Sequence, residues 1–405
     1  MKADIRTTSK ERMLAALRDG QSDSLAAAPA YLSLFLADFE RGYYVEQYRR
    51  RLRGRSRYAI DHEEDTLFRA RALYQSYGIF KVKPDWIEVQ QGASRAWAER
   101  TEIIARDGRL YYLDRESGAS APMQSAPMPW GDATALQASS ASTSDLWDLS
   151  SELRDQDDVD MRMPIVGAEA LLARGDFDLP RLVVKDYGEE VFISTIMGTP
   201  FSEAYGLLGF QGLMLIQHDR PALFHHLLQR QLAVSQEEMG AWAAAGIDGV
   251  YVEEVFTGAD MISPRSYDEF VFAFNQPYFR HMRTQGLLPI HYVCGDTIPR
   301  LERIVELDIA AVGVEESKKN FRIEIEEVVD RVAGKTAVMG NIDAVRFGPG
   351  ATMQEMASEV RRQAQIGSKA AGFVVSSGSP FPLDTNPRLL DTLVATAHSL
   401  APKFK

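Results

Sequence analysis

Apolar and polar positions divide the chain into two halves of unequal regularity. From about residue 185 onward, short apolar runs rich in β-branched residues alternate with longer stretches of helical periodicity. Val191 to Met197 is the first such run. Ser202 to Ile216 and Pro221 to Ala245 behind it repeat apolar positions at helical spacing. The alternation continues through predicted strands at 249–255, 288–294, 309–315, 336–341 and 371–376. Predicted helices at 265–285, 297–306, 320–333, 352–367 and 387–400 separate or follow them. Strands that are apolar almost throughout are buried on both faces, which means a parallel sheet covered by helices. The pattern predicts an α/β fold, a (β/α)8 TIM barrel, with an open doubly wound sheet as the runner-up.

The first half is less regular. Ser9 to Leu17 reads as a capped amphipathic helix that Gly20 ends. An apolar piece follows at Tyr31 to Leu36, then a very basic helix around Tyr48 to Arg57. Alternating segments at Trp86–Gln90, Thr101–Ala105 and Leu110–Leu113 predict a β-meander. Residues 131–160, rich in Ser, Ala and Asp, read as a surface excursion or loop. The expected organisation is therefore an N-terminal helical and β-meander elaboration with the first barrel strands over 1–130, the excursion over 131–160, and the main barrel over 161–405.

Charge and cysteine content narrow the function classes. Lys and Arg number 45 against 57 Asp and Glu, a net charge of −12, which argues against nucleic acid or an anionic membrane as partner. No apolar run approaches the ~18 residues that span a bilayer, and the start has no apolar signal core. A single cysteine excludes an internal disulfide framework. The expectation is a cytoplasmic enzyme acting on a small molecule. The basic run Arg49–Arg57 lies beside Asp61, Glu63, Glu64 and Asp65 and reads as a solvated face neutralised locally.

In such a barrel the chemistry sits at the carboxyl ends of the strands. Those ends carry Glu253-Glu254, Cys294, Glu315-Glu316, Asn341-Ile342-Asp343 and Ser376-Ser377-Gly378-Ser379. Cys294, the lone cysteine, closes the run Leu288-Pro289-Ile290-His291-Tyr292-Val293-Cys294. On a regular strand Tyr292 shares its face and His291 points away, unless a bulge intervenes. Glu253 and Glu254 likewise take opposite faces, as do Glu315 and Glu316. His225-His226 cannot share a helix face, and the serines lack a nucleophile elbow.

An ordered set of motifs resembles the uroporphyrinogen decarboxylase superfamily, in particular its corrinoid/thiol methyltransferase branch. The set runs from Lys10-Glu11-Arg12-Met13-Leu14 through Met197-Gly198-Thr199-Pro200-Phe201, Ala245-Gly246-Ile247-Asp248-Gly249 and Tyr292-Val293-Cys294-Gly295. It closes with Met339-Gly340-Asn341-Ile342-Asp343, Ser377-Gly378-Ser379 and Asp384-Thr385-Asn386-Pro387. Zinc-dependent members of that branch, and the related cobalamin-independent methionine synthases, carry a His-x-Cys pair on one strand end and a second Cys on the last strand. The synthases add a Glu between them. Cys294 matches the first cysteine, and Glu315 in Val314-Glu315-Glu316-Ser317-Lys318 matches the Glu. Tyr292 stands in the His position, with His291 one residue early, and Ser379 stands in the second Cys position.

The resemblance implies a methyltransferase moving a methyl group between a small substrate or thiol and a corrinoid protein. Cys294, Glu315 and Tyr292 are its candidate catalytic residues, and Glu253, Asn341, Asp343 and Ser379 its candidate substrate contacts. Zinc on Cys294 and Glu315, with His291 as a provisional third ligand, would activate a substrate thiol. No corrinoid-binding His motif is present, so the corrinoid would arrive on a separate protein, and a homodimer is the expected assembly. The second hypothesis is a metal-free decarboxylase or other lyase on the same barrel. It lacks the Arg-x-Ala-Gly-Arg segment with which the decarboxylase proper receives its highly anionic porphyrinogen. The third is a barrel that only binds a ligand or corrinoid protein.

Overall fold

A computed structural model describes residues 7–18, 20, 22–123 and 153–402. Eight strands run parallel: β1 (Ala26–Ala27), β2 (Trp86–Glu88), β3 (Phe192–Gly198), β4 (Gly249–Glu254), β5 (Leu288–Val293), β6 (Ala311–Val314), β7 (Ala337–Met339) and β8 (Phe373–Val375). Their spatial order is β1-β8-β7-β6-β5-β4-β3-β2, with helices outside, so the sheet is a nearly closed (β/α)8 barrel. The apolar strands of the second half fall within a residue or two of the predicted spans. The helix Pro221–Ala245 occupies its predicted span.

One of the three expected meander segments belongs elsewhere. Trp86–Glu88 is a barrel strand, parallel to β3 with Trp86 opposite Phe192 and Glu88 opposite Ser194. Its side chains are buried on both faces, so alternation was the wrong model for it. The small antiparallel sheet is instead built from Arg57–Ala59, Thr101–Arg106, Arg109–Asp114 and Ser120–Pro122. The basic helix begins earlier than expected, spanning Leu32–Arg51. Its arginines Arg49 and Arg50 pair with Glu46, and Arg51 with Glu64. Most of the expected excursion, 131–152, lies outside the described residues. At its end Gln156–Arg162 is a helix capped by Asp155. No helix among the described residues is long and apolar enough to cross a membrane.

The elaboration has its own small core. Tyr44, Tyr48, Phe68, Trp97 and Tyr112 pack together between the helices Leu32–Arg51 and His62–Tyr77 and the small sheet. A buried ion pair sits in that core: Arg69 Nε donates to Asp65 Oδ2 at 2.5 Å, and the Tyr48 hydroxyl donates to Asp65 Oδ1 at 2.6 Å. Both charges are thus hydrogen-bonded as well as paired, the condition under which a buried pair persists.

The barrel closes at one residue. No ladder joins β1 to β2, but Asp85 spans the seam. Its N–H donates to the Ala27 carbonyl at 2.9 Å, and its Oδ2 accepts from the Ala27 N–H at 2.8 Å. Oδ1 receives Arg12 Nε at 3.0 Å and Nη2 at 2.7 Å, and His398 Nε2 lies 2.9 Å from Oδ2. One fully buried carboxylate therefore ties together the first helix (Ser9–Leu17), β1, β2 and the last helix (Pro387–His398). Burial alone would raise its pKa; the His398 ring and the Arg12 guanidinium outweigh that and hold it below the usual value. Asp85→Asn is expected to lower the unfolding free energy by roughly 3 kcal/mol at neutral pH. Because the folded carboxyl is the stronger acid, this stabilisation is complete above the unfolded value near ~4 and fades as pH falls through the lower folded value. Urea unfolding of both proteins across that range checks it; a difference that does not change with pH would show that the charge is not what closes the barrel.

Candidate active site

Strand parity decides which side chains reach the mouth. On β4, Tyr251 and Glu253 point inward; on β5, Tyr292 does, and Cys294 follows on the same side just past the strand. Tyr31, between β1 and the helix Leu32–Arg51, lies across them. Its hydroxyl donates to Glu253 Oε1 at 2.6 Å, and its ring meets those of Tyr251 and Tyr292 edge-on at 5.4 and 5.5 Å. Tyr31 has φ 55°, a left-handed conformation that costs a residue with a Cβ on the order of 1 kcal/mol. The ring cluster and the Glu253 bond hold it there.

The neighbouring loops are stitched to each other. The Tyr292 hydroxyl donates to the Gly378 carbonyl. Glu315 Oε2 accepts the Gly295 N–H at 2.9 Å. Lys318 Nζ donates to Ser379 Oγ at 2.9 Å and to Glu316 Oε1, and lies 3.9 Å from Glu315 Oε1. Asn341 Nδ2 donates to the carbonyls of Glu315 and Ile323, each at 3.1 Å. Gly378 is required by contact: a Cβ there would lie 2.4 Å from the Glu316 backbone nitrogen. Burial pushes the Cys294 thiol well above its ordinary value, reinforced by Glu315 and Glu253, so it stays protonated at neutral pH. Burial also raises the Glu315 carboxyl, against the Gly295 N–H and the Lys318 charge.

Of the residues expected at the site, Glu315 and Ser379 come together at Lys318, Tyr292 reaches the Gly378 carbonyl beside Ser379, Cys294 lies near Tyr292 and Glu315, and Glu253 joins them through Tyr31. Asn341 stands behind as a brace for the 315–323 loop. Asp343 Oδ1 accepts the N–H groups of Val345 and Arg346 at 3.0 and 2.8 Å, so this oxygen caps a turn. His291 is on the other side of the sheet. Its Nε2 lies 3.2 Å from Glu254 Oε2, in a fully buried group completed by Thr257 and Asn275. The strand is regular, with no bulge to return His291 to the mouth.

The expected zinc set does not fit these residues. Among the described residues no group of three or more His, Cys, Asp or Glu side chains is placed to hold a metal ion. The Tyr292 and Ser379 hydroxyls are bonded elsewhere, and the Lys318 ammonium lies 3.9 Å from Glu315 Oε1, where a cation would sit.

Beside this cluster a cavity of 520 Å³ opens between the barrel mouth and the helix Leu32–Arg51. Tyr31, Glu40, Arg41, Arg69, Glu88 and Glu253 are among the polar residues that line it. Glu88 ends β2 and is almost wholly buried; its Oε2 accepts the Ser33 N–H at 2.8 Å, and its Oε1 has no donor at hydrogen-bond distance among the described residues. Burial pushes the carboxyls of Glu88 and Glu40 up to about 7 each. Tyr31, Glu40 and Glu88 were not among the expected site residues. Glu88 was hidden because its segment was assigned to the meander, and the other two precede any legible strand.

The family model for uroporphyrinogen decarboxylase (URO-D) matches residues 150–400. The uroporphyrinogen decarboxylase of Nocardia farcinica is 30% identical over 233 residues, covering 54% of this chain and 62% of that protein. That of Methylococcus capsulatus is 24% identical over 236 residues, covering 55% and 64%. The chain thus spans less than two thirds of the length of these curated relatives. A methyltransferase from Methanosarcina mazei shares the fold with a TM-score of 0.63 at 15% identity, covering 97% of this chain and 99% of that one. Glu315, Lys318 and Ser379 fall inside the matched segment, whereas Tyr31, Glu40 and Glu88 lie before it.

The stitched loops make a specific contrast. Gly378→Ala should force the 315–318 and 376–379 loops apart and lower stability by about 1–3 kcal/mol. Tyr292→Phe, which leaves one buried carbonyl without its donor, should cost about 1–2 kcal/mol. Thermal melts of both variants measure the order; equal melting temperatures for Gly378→Ala and the parent would refute the close approach.

Proposed function

The chain belongs to the uroporphyrinogen decarboxylase family, and from that premise we propose that it is an enzyme transferring a methyl group between a small substrate or thiol and a corrinoid carried by a separate protein. The observation that carries this reading is the sign of the charge at the mouth. Glu88, Glu253, Glu315 and Glu316 bring carboxyl groups to it, and Lys318 is engaged by Glu316 and Ser379. The two arginines lining the cavity each hold a carboxylate of their own: Arg69 that of Asp65, and Arg41 that of Asp38 at 2.8 Å. A highly anionic porphyrinogen would meet like charge here, which costs several kcal/mol in a complementary interface. A small neutral or cationic substrate would not.

The residues divide the work of such a transfer. Tyr31 and Glu253 shape the boundary between the cavity and the Cys294 strand. Glu315, its carboxyl raised by burial, is suited to take the proton that an acceptor thiol or amine loses as it forms its new bond. Lys318, 3.9 Å away, stabilises the negative charge on that side of the mouth. Cys294 supplies a neutral, polarisable wall, since its thiol is held protonated.

A second reading, decarboxylation on the same barrel without metal, is favoured by the names of the curated relatives. Two assays on the purified chain separate the readings: methyl transfer from a methylcorrinoid protein to a thiol, followed by corrinoid absorbance, and carbon dioxide release from uroporphyrinogen. Methyl transfer alone is expected, and Glu315→Gln should lower its kcat by about 10²-fold or more with little change in the melt. Carbon dioxide release without methyl transfer would overturn the proposal.

A further inference from the structure

We propose that the cavity between Glu88, Glu253 and the helix Leu32–Arg51 is a binding site for a small organic cation, a protonated or quaternary amine. The inference rests on the reading above only in making that cation the substrate.

Three features converge. The first is shape and size: 520 Å³ suits a molecule of several to a dozen heavy atoms. Leu34, Leu73, Val89, Leu179 and Ile196 form apolar walls that would receive methyl or methylene groups. The second is an unmet valence. Glu88 is 1% exposed and lines the cavity, yet among the described residues its Oε1 has no donor at hydrogen-bond distance, although the Ser33 hydroxyl and the Tyr31 N–H also act on the carboxyl. A buried acceptor left without a donor is costly, so such an atom marks where a ligand donor or charge belongs. The third is charge. Glu40 and Glu253 line the same space, Glu40 Oε1 accepting from Ser76 Oγ at 3.2 Å and Glu253 Oε1 from Tyr31. Against these three carboxyls stand Arg41 and Arg69, paired with Asp38 and Asp65, with the buried Arg41 Nε left without an acceptor among the described residues. The uncompensated charge of the lining is negative. The Tyr31 ring, with its electron-rich face, adds a surface that attracts alkylammonium groups.

The protonation behaviour agrees with this geometry. Burial holds both carboxyls up to about 7, with the Glu88 charge adding to the effect on Glu40 and hydrogen bonds from Ser33 and Tyr31 opposing it at Glu88. A bound cation would restore the ionised forms and release protons. The groups around Glu88 are Glu40, Tyr31, Tyr77 and Tyr251, and Arg69 lines the same cavity. None of the tyrosines ionises in this range, because burial raises each well above its ordinary value. The affinity for a cation should therefore rise from about pH 6 to about pH 8 as the carboxyls, near 7, lose their protons.

Titration calorimetry on the full chain tests this with choline, trimethylammonium, the neutral isostere 3,3-dimethylbutan-1-ol, and acetate. The expected result is binding of at least one cation at a Kd below about 10 mM, at least ~10-fold tighter than the neutral isostere. Glu88→Gln should weaken that cation by ~10-fold or more and remove much of the pH dependence, with Glu40→Gln as a second variant should Glu88→Gln melt early. Equal binding of the isostere, preferential binding of acetate through Arg41, or no cation binding at that limit would each overturn the proposal. The two readings fail separately. Methyl transfer from a neutral donor without amine binding removes this inference and leaves the proposed function, whereas amine binding without methyl transfer does the reverse.

Discussion

The structure depends on a carboxylate at the bottom of the barrel. Two adjacent parallel strands, β1 and β2, come from segments about sixty residues apart and are too short to zip into a ladder of their own. Asp85 replaces that ladder with a single residue that both donates to and accepts from Ala27. Its remaining capacity is filled by Arg12 from the first helix and His398 from the last. An unpaired buried charge would cost more than the closure gains, so all of these contacts stand or fall together. The chain ends are thus bound to the same point that shuts the barrel, at the end opposite the chemistry.

Closing the bottom fixes what happens at the top. With β1 and β2 held side by side, Trp86 stacks edge-on against Tyr251, Tyr251 stacks on Tyr292, and Tyr31 covers both. These rings fill the barrel below the mouth, so polar groups can gather only above them. There Glu253 and Cys294 emerge, each two residues beyond an inward tyrosine, and Glu315 emerges two residues beyond Gly313, which faces Tyr292. The small core around Asp65 and Arg69 plays the corresponding part for the outer wall, holding the helix that carries Glu40 and Arg41 over the opening.

How much of this was legible follows from the physics of each segment. The barrel strands from β3 onward are continuous apolar runs between long amphipathic helices, and period alone identifies them. Parity was also readable: it separates Glu253 from Glu254, and Tyr292 from His291, without any knowledge of neighbours. The first two strands were not legible. Ala26–Ala27 is two residues long, and Trp86–Glu88 is short enough that its Trp-Ile-Glu pattern imitates an exposed alternating strand. Its glutamate is buried because a fold-level contact, the Ser33 N–H, meets it, and no local pattern encodes that. Likewise Lys318 reads as an ordinary loop lysine until the β8 loop brings Ser379 to it, 61 residues further along the chain.

The replacements at the mouth are best understood as one coupled change. Where the resembling pattern sets an imidazole and two thiolates around a dication, this chain keeps one thiol, Cys294, and sets a phenol, a hydroxyl and an ammonium in place of the rest. Each is suited to the others. An ammonium donates to Ser379 and Glu316, whereas a metal would require both to be stripped of other partners. Tyr292, with no metal to ligate, spends its hydroxyl on the Gly378 carbonyl and so fixes the loop that carries Ser379. Unlike a metal, the ammonium offers no open coordination position and cannot draw a thiol proton off through a bond; it acts only by Coulomb attraction, weakened by its partial exposure. In the proposed transfer the thiol proton must then go to a base. Glu316 holds the ammonium directly, whereas Glu315, 3.9 Å from it, has its affinity for protons raised by burial, so the replaced ligand positions and the position of that glutamate fit one design.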